Sequence, residues 1–384
     1  MSRFMHSKRH VYADNAATTR LDPLALEAML PFLRESYGNP SSLYSFGKSA
    51  RKAVETAREQ IAECVGARPQ EILFTSGGTE SDNWAIKGAA WANRDRGTHL
   101  ITSAIEHSAV LNSCAALERE GFLITRLPVD EQGTVSTTEL EDSITPRTVL
   151  VSVMLANNEI GTIQDIPDLA DAARRRGAMF HTDAVQAVGH IPINVSDLGV
   201  DLLSASAHKF NGPKGVGFLC RRNGVVVPPY IDGGHQEGGS RSGTENVAGI
   251  VGMACALTNR VASLPDTMSS LCEMNDLIAE LVGQAVPEAR FSGHPTRRLP
   301  GLTSLSIPDI SAESLLHLLD LRGISVSTGA ACNAGSTVVS HVLRAIGLPD
   351  AHAGGTIRVS FGIDNTLDDA RSVADGIAAL WTRL

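Results

Sequence analysis

The sequence contains no paired cysteines. Its six, at positions 64, 114, 220, 255, 272 and 332, are scattered and never fall in a CxxC spacing, so neither a disulfide framework nor a thiolate zinc site is indicated. There is no HExxH pair to hold a metal on one helix face. Long apolar runs are also missing: the longest candidate, "TVLVSVMLA", is far short of the roughly 18 residues that span a bilayer. The basic start "MSRFMHSKRH" leads into "VYADNAATT" without the apolar segment of a secretory signal, so an untargeted cytoplasmic chain is expected, with no membrane partner. A surplus of basic charge is absent too. The formal net charge of -9 argues against nucleic acid as a partner, because counterion-driven binding needs clustered Lys and Arg. Neither GxxxxGK[ST] nor GxGxxG occurs, which weakens a nucleotide or dinucleotide reading.

What is present is an ordinary globular composition, 43% hydrophobic and 20% charged over 384 residues, enough for two domains. Between Glu71 and Cys220 short apolar runs alternate with helical stretches: "EILFTSG", "HLITSA", "FLITRLP", "VLVSVMLANNEIG", "AMFHTDAV", "DLLSASAHK" and "GVGFLC". Runs apolar on successive residues suggest strands buried on both faces of a largely parallel sheet, hence an α/β core. Ahead of it, "DPLALEAMLPFLRES" and "GKSARKAVETAREQIAECVG" read as helices, the second stopping at Gly66. A long helical region from about Val247 to Val286 leads into a shorter βα pattern, "LTSLSIP", "SAESLLHLLDLRG", "ISVST", "STVVSHVLRAIG" and "TIRVSFG", and a last helix. A large domain of residues 17–259 and a smaller α/β domain of 1–16 with 260–384 are expected.

Ligands of open α/β sheets gather beyond the carboxyl ends of the strands. There the sequence is unusually polar, with "TSGGTESDN", "EHS", "NNE", "TDAVQ" and "SAHK". In the first, Gly78 and Thr79 open a helix whose free amides could hold a phosphate, or form only a capped turn. Asp183 could accept a hydrogen bond from a protonated pyridine nitrogen and keep it charged, or cap a helix or a turn. Lys209 near apolar surroundings could act as an amine nucleophile, or extend its ammonium to the surface. A phosphate cradle, a pyridinium partner and a Schiff-base lysine at one sheet edge together suggest pyridoxal 5'-phosphate. Cys332, in "STGAACNAGSTVV", sits among small residues where a thiol could ionise and reach a ligand. The other cysteines lie in apolar contexts where burial and inertness are expected. Arg358, in the apolar strand "TIRVSFG", needs a partner: a substrate carboxylate or a structural acid.

Taken in order, "YADNAATT", "FTSGGTESDN", "EHSAVL", "ANNEIGTIQDI", "HTDAVQAVG", "SAHKFNGPKGVG", "GGHQEGGSRSGTENV", "STGAACNAGS", "SHVLRAIG" and "TIRVSFG" resemble the cysteine desulfurases of the class V aminotransferase group, in their IscS/NifS-like branch. The resemblance implies a fold-type I pyridoxal phosphate enzyme with a mostly parallel seven-stranded sheet in its large domain. It implies conversion of L-cysteine to L-alanine, with a persulfide left on Cys332 for a sulfur-acceptor protein. An iron–sulfur scaffold or a tRNA-thiolation protein would fit that part. By the same resemblance Lys209 is the Schiff-base lysine and His107 stacks on the ring and moves protons. Asp183 binds the ring nitrogen, while Asn158 and Gln186 contact the ring's hydroxyl side. Gly78, Thr79, Ser206 and His208 hold the phosphate, and Arg358 with Asn158 binds the substrate. Thr244 would reach the phosphate of the other subunit of a homodimer. No metal is implied. Two other readings stay open: another enzyme of this fold, such as a selenocysteine lyase or an aminotransferase, and a non-catalytic dimeric module.

Overall fold

The computed structural model describes residues 10–328 and 339–381. In chain order the strands are β1 (Val11–Tyr12), β2 (Ile72–Thr75), β3 (His99–Ser103), β4 (Leu123–Leu127), β5 (Thr148–Ser152), β6 (Met179–Asp183), β7 (Leu202–Ser206), β8 (Gly217–Arg221), β9 (Arg290–Ser292), β10 (Leu302–Ser306), β11 (Ile324–Ser325) and β12 (Thr356–Ser360). Seven of them form the central sheet in the order β2-β8-β7-β6-β5-β3-β4, as the apolar runs predict. Only β8 runs against its neighbours; the pairs from β7 through β6, β5 and β3 to β4 are parallel. Because β8 runs antiparallel to both β2 and β7, these two point the same way, and the carboxyl ends of β2, β3, β5, β6 and β7 all lie at one edge.

Helices cover both faces, which is why these strands are apolar on successive residues rather than alternating. One face packs Ile101, Val151, Phe180, Leu203 and Phe218 against the helices Ser45–Val65, Ile166–Arg175 and Val247–Ala262. The other packs Leu100, Leu150, Leu202 and Leu219 against Trp84, Ala85 and Ala89 of the helix Gly78–Ala92. Gly66 ends the helix Ser45–Val65 at φ 67°, the left-handed stop expected of a glycine there. The helical region after Val247 is two helices, Val247–Ala262 and Leu264–Ala285, meeting at 72°. Pro265 explains the break: it starts a helix easily but cannot continue one. Among the described residues no single helix is long and apolar enough to cross a membrane.

A second, antiparallel sheet, β12-β10-β9, carries its own core of Leu305, Ile357 and Val359 packed on Ile278, Leu319 and Ile377. β1 pairs in parallel with β11 beside it. The strands β1 and β9 have too few residues to show a period and depend on partners distant in sequence. Between the two sheets runs the segment 14–19. Asn15 donates its amide to the Ser360 carbonyl, Ala16 to Ser360 Oγ and Thr19 to the His208 carbonyl, so one short strap is tied to both sheets.

Candidate active site

Where the five carboxyl ends meet, a cavity of about 370 Å³ opens. Its walls hold Gly78, Thr79, His107, Asn158, Asp183, Gln186, Ser206, His208, Lys209 and Arg358. Of the sequence candidates, Thr244 does not line it and is exposed, and Cys332 lies outside the described residues.

Close backbone approach builds one end of the cavity. Gly77 sits at φ 148° before the helix Gly78–Ala92, in backbone territory that favours glycine. A Cβ on Gly217, at the start of β8, would meet the Gly77 Cα at 2.7 Å, so only glycine lets β8 fit between β2 and β7 here. A Cβ on Gly78 would fall 2.5 Å from Val185 Cγ2. The helix start at Gly78 and Thr79 therefore lines a narrow space shared with Ser206 and His208, a cradle suited to an anion. Burial and the nearby Lys209 and Lys214 push His208 down to about 4, so its ring is neutral; its Nδ1 lies 3.2 Å from Thr18 Oγ1.

Lys209, just past β7, points its ammonium away from solvent to the strap, donating to the carbonyls of Ala16 at 2.5 Å and Ala17 at 2.9 Å. Gln186 donates to the same Ala16 carbonyl at 2.9 Å. His107 caps the helix Ser108–Arg119, its Nδ1 accepting the Ala109 amide at 3.1 Å. That bond fixes the ring and leaves the proton of the neutral form on Nε2. Asp183 ends β6 and accepts the Val185 amide through Oδ1 at 2.9 Å. Burial raises its pKa, while His107, that amide and Lys209 draw it back. A protonated ring nitrogen in the cavity would favour the ionised form further.

Arg358 is 3% exposed on β12. Of the two readings of its partner, the structural acid is seen: it donates to Asp14 Oδ1 at 2.8 Å and to the Asn158 carbonyl at 2.8 Å, and it also lines the cavity. Its Nε has no partner among the described residues. Asp14 and the carbonyls of Ala16 and Ala17 were not among the sequence candidates, nor was Asp82, although Thr79 and Asp82 are one helical turn apart. Thr244 follows Arg241, which pairs with Glu80 at 2.8 Å on the helix that opens the cradle.

The five other cysteines divide. Cys114 and Cys220 are buried and pushed up to about 12, as expected of inert thiols. Cys64 and Cys255 are half-buried and Cys272 is exposed, against the expectation of burial, because their helices turn those positions partly to solvent. None of the five lines the cavity.

Comparison with known proteins agrees with this arrangement. The family model for aminotransferase class-V matches residues 11–373. The chain belongs to that family. Cysteine desulfurase IscS of Methanosarcina thermophila is 48% identical over 374 residues, 97% of this chain and 92% of that protein. A solved structure titled a NifS-like protein superposes with a TM-score of 0.93 at 40% identity, covering 98% of this chain and all of the other. A third relative, solved as SspA in complex with cysteine, has a TM-score of 0.81 at 38% identity over 91% of this chain and 98% of its own. Within the class-V aminotransferases the chain thus groups with the cysteine desulfurases, whose fold is that of the fold-type I enzymes.

Proposed function

We propose that this cysteine desulfurase converts L-cysteine to L-alanine and leaves the sulfur as a persulfide on Cys332. The observation that carries the reading is the meeting, in one buried cavity, of Lys209, Asp183, His107, Arg358 and the glycine cradle from five separate segments. Its donor set fits pyridoxal phosphate: an anion cradle, a buried carboxylate and an amine line one cavity. Gly78 and Thr79, with Ser206 and His208, would hold the phosphate. Asp183 would hold the proton of the ring nitrogen, His107 would pack on the ring, and Asn158 and Gln186 would meet its hydroxyl side.

The bound cofactor supplies an electron sink for charge released at the substrate α-carbon. The chain's own residues do the rest. Arg358, with Asn158 beside it, holds the substrate carboxylate and so orients the α-carbon and thiol. Lys209 would take the α-proton; its bonds to two strap carbonyls hold it at the cavity wall. His107, whose Nδ1 accepts the Ala109 amide, would move protons through Nε2. The thiolate of Cys332 forms a sulfur–sulfur bond as the substrate's carbon–sulfur bond breaks, and a returned proton completes alanine. Atoms balance: cysteine and one thiol give alanine and one persulfide.

A homodimer is part of this proposal. Thr244 is exposed and outside its own cavity, three residues after the Arg241–Glu80 pair, as a residue offered to a second subunit would be. Leu24, Leu33, Tyr37, Leu43 and Tyr44 leave an exposed apolar surface on the segment 24–44 that a second copy would cover. The division into residues 17–259 and 1–16 with 260–384 is likewise proposed, on the two separate cores. A sulfur-acceptor protein, such as an iron–sulfur scaffold or a tRNA-thiolation protein, would take the persulfide in the cytoplasm.

The test is product formation from L-cysteine with a reductant, in the parent and in Cys332→Ala. Equal alanine and sulfide from the parent, and neither from a variant that retains its cofactor, support the reading. Retained cofactor without alanine in the parent overturns it in favour of another fold-type I reaction.

A further inference from the structure

One cavity residue has no part in the reaction described above. Asp82, on the helix Gly78–Ala92, is 1% exposed, and its Oδ1 has no hydrogen-bond partner among the described residues. One polar side-chain atom from each of Asp82, His107 and Asp183 lies within 4.8 Å of the others. Behind Asp82 a polar row crosses three neighbouring strands, Ser152 on β5, His181 on β6 and Ser204 on β7. The strand register sets Ser152 beside His181 and Asp183 beside Ser204. The His181 ring lies 2.8 Å from Ser152 Oγ through Nδ1 and 3.0 Å from Ser204 Oγ through Nε2, with Asp82 Oδ1 at 3.7 Å. A buried polar row is costly unless its members are satisfied by one another or by a group at its end, and Asp183, paired with Ser204, stands at its end.

Two carboxyls this close and this buried share their ionisation, so the pair carries one charge before it carries two. Which residue carries it follows from what each faces. Asp183 feels His107 and Lys209, both of which favour its charge. Asp82 faces the acids Asp183 and Glu106 and the His181 ring, which burial holds down to about 3 and therefore neutral. A hydrogen bond from Ser204 favours its ionisation, but burial and the two acids oppose it.

We propose that Asp82 is a positioning residue: it keeps its proton at neutral pH and, as a neutral acid backing Asp183, leaves the pair's single negative charge on the carboxylate that meets the ring nitrogen. The consequence for the cofactor rests on the reading of Asp183 given above; the proton on Asp82 does not.

Asp82→Asn matches the neutral acid in shape and cannot ionise. An unfolded aspartate loses its proton near pH 4, whereas Asp82 keeps it in the folded chain, so the parent's folding equilibrium weakens with rising pH by up to about tenfold per unit relative to the variant. Urea denaturation of the full-length protein, cofactor bound in both, from about pH 5 to about pH 8, is expected to show the variant-to-parent ratio climbing in this way. Glu106 titrates in both proteins and cancels. A flat ratio overturns the proposal. Should the variant not fold, the infrared spectrum of Glu106→Gln at neutral pH decides: a protonated-carboxyl band that persists supports the shared proton, and its absence refutes it. In the loaded enzyme the pH midpoint of the cofactor's visible absorbance should stay within about twofold in proton affinity in Asp82→Asn and move about tenfold or more in Asp183→Asn. A tenfold move in Asp82→Asn means that Asp82 carries the charge, against the proposal. No move in Asp183→Asn removes the ring-nitrogen reading instead, and the denaturation series still decides the proton on Asp82.

Discussion

Glu237 holds the loop that carries Arg241 and Thr244, and its substitution has a magnitude that can be worked out. Its side chain is 3% exposed and meets both terminal nitrogens of Arg58 at 2.8 Å, while also accepting the Phe74 amide at 3.0 Å. The Arg58 guanidinium lies 4.5 Å over the Phe74 ring. Glu237 stands at φ 47° and ψ 40°, a left-handed conformation that costs a non-glycine residue about 1–2 kcal/mol, so the ion pair holds a backbone the residue alone disfavours. Glu237→Gln keeps the size and removes the charge. Gln keeps one acceptor oxygen for Arg58, whose only remaining charged partner among the described residues is Glu55 at 3.3 Å, 55% exposed and screened by water, beside the Ile72 carbonyl at 2.6 Å. Breaking one side of a buried pair costs about 3–5 kcal/mol; with Glu55 retained we expect about 2–4 kcal/mol. The assay is urea denaturation of the parent, Glu237→Gln, Arg58→Met and the double variant. Because the second substitution removes the stranded charge, the double variant should cost less than the sum of the singles by about 2 kcal/mol. A Glu237→Gln cost below about 1 kcal/mol, or simple additivity, would refute the reasoning.

Two further outcomes are expected. Burial pushes Glu106 up from 4.5 to about 8, more than its bonds from Ser103 Oγ and the Met154 amide pull it down. The folded chain therefore keeps a proton that the unfolded chain has lost. The parent should lose stability relative to Glu106→Gln as pH rises from the unfolded value toward 8 and hold a constant difference above it, with a ceiling of about 5 kcal/mol; a pH-independent difference in denaturation midpoints would show that Glu106 is ionised throughout. Gly78→Ala would put its Cβ 2.5 Å from Val185 Cγ2, displacing the cradle. Cofactor affinity, measured by absorbance titration, should fall about tenfold and largely return when Val185→Ala is added, since such overpacking costs about 1–3 kcal/mol. Unchanged affinity in Gly78→Ala would mean that the close contact does not shape the phosphate site.

How far the site could be read from sequence depended on whether its parts were side chains or backbone. Six of the seven central strands were legible because burial on both faces makes them largely apolar on successive residues, while the edge strand β4 exposes Leu123 and Arg126; the polar ends converge because parallel strands share a carboxyl edge. Gly78, His107, Asp183 and Lys209 each follow such a run, so position along the chain predicted position in space. Asp82 carried a fainter signal: spaced by one helical turn from Thr79, it had to turn the same way, but its role depends on His181 and Ser204, which look like core residues until β6 and β7 are paired. The exposure of Cys272 was hidden because an apolar context does not say which face of a helix is outward. Least visible was the strap. Ala16 and Ala17 act through carbonyls, which every residue has, and Asp14 reaches Arg358 across 344 positions. The strap nevertheless joins the second sheet to the lysine: Asp14 grips β12 through Arg358, Ser360 receives the amides of Asn15 and Ala16, and the next carbonyls take the Lys209 ammonium. A shift of β12 relative to the central sheet would therefore reach Arg358 and Lys209 together. The groups proposed to hold the substrate carboxylate and to move its α-proton are positioned by one piece of backbone, a coupling that becomes visible only when both sheets are in place.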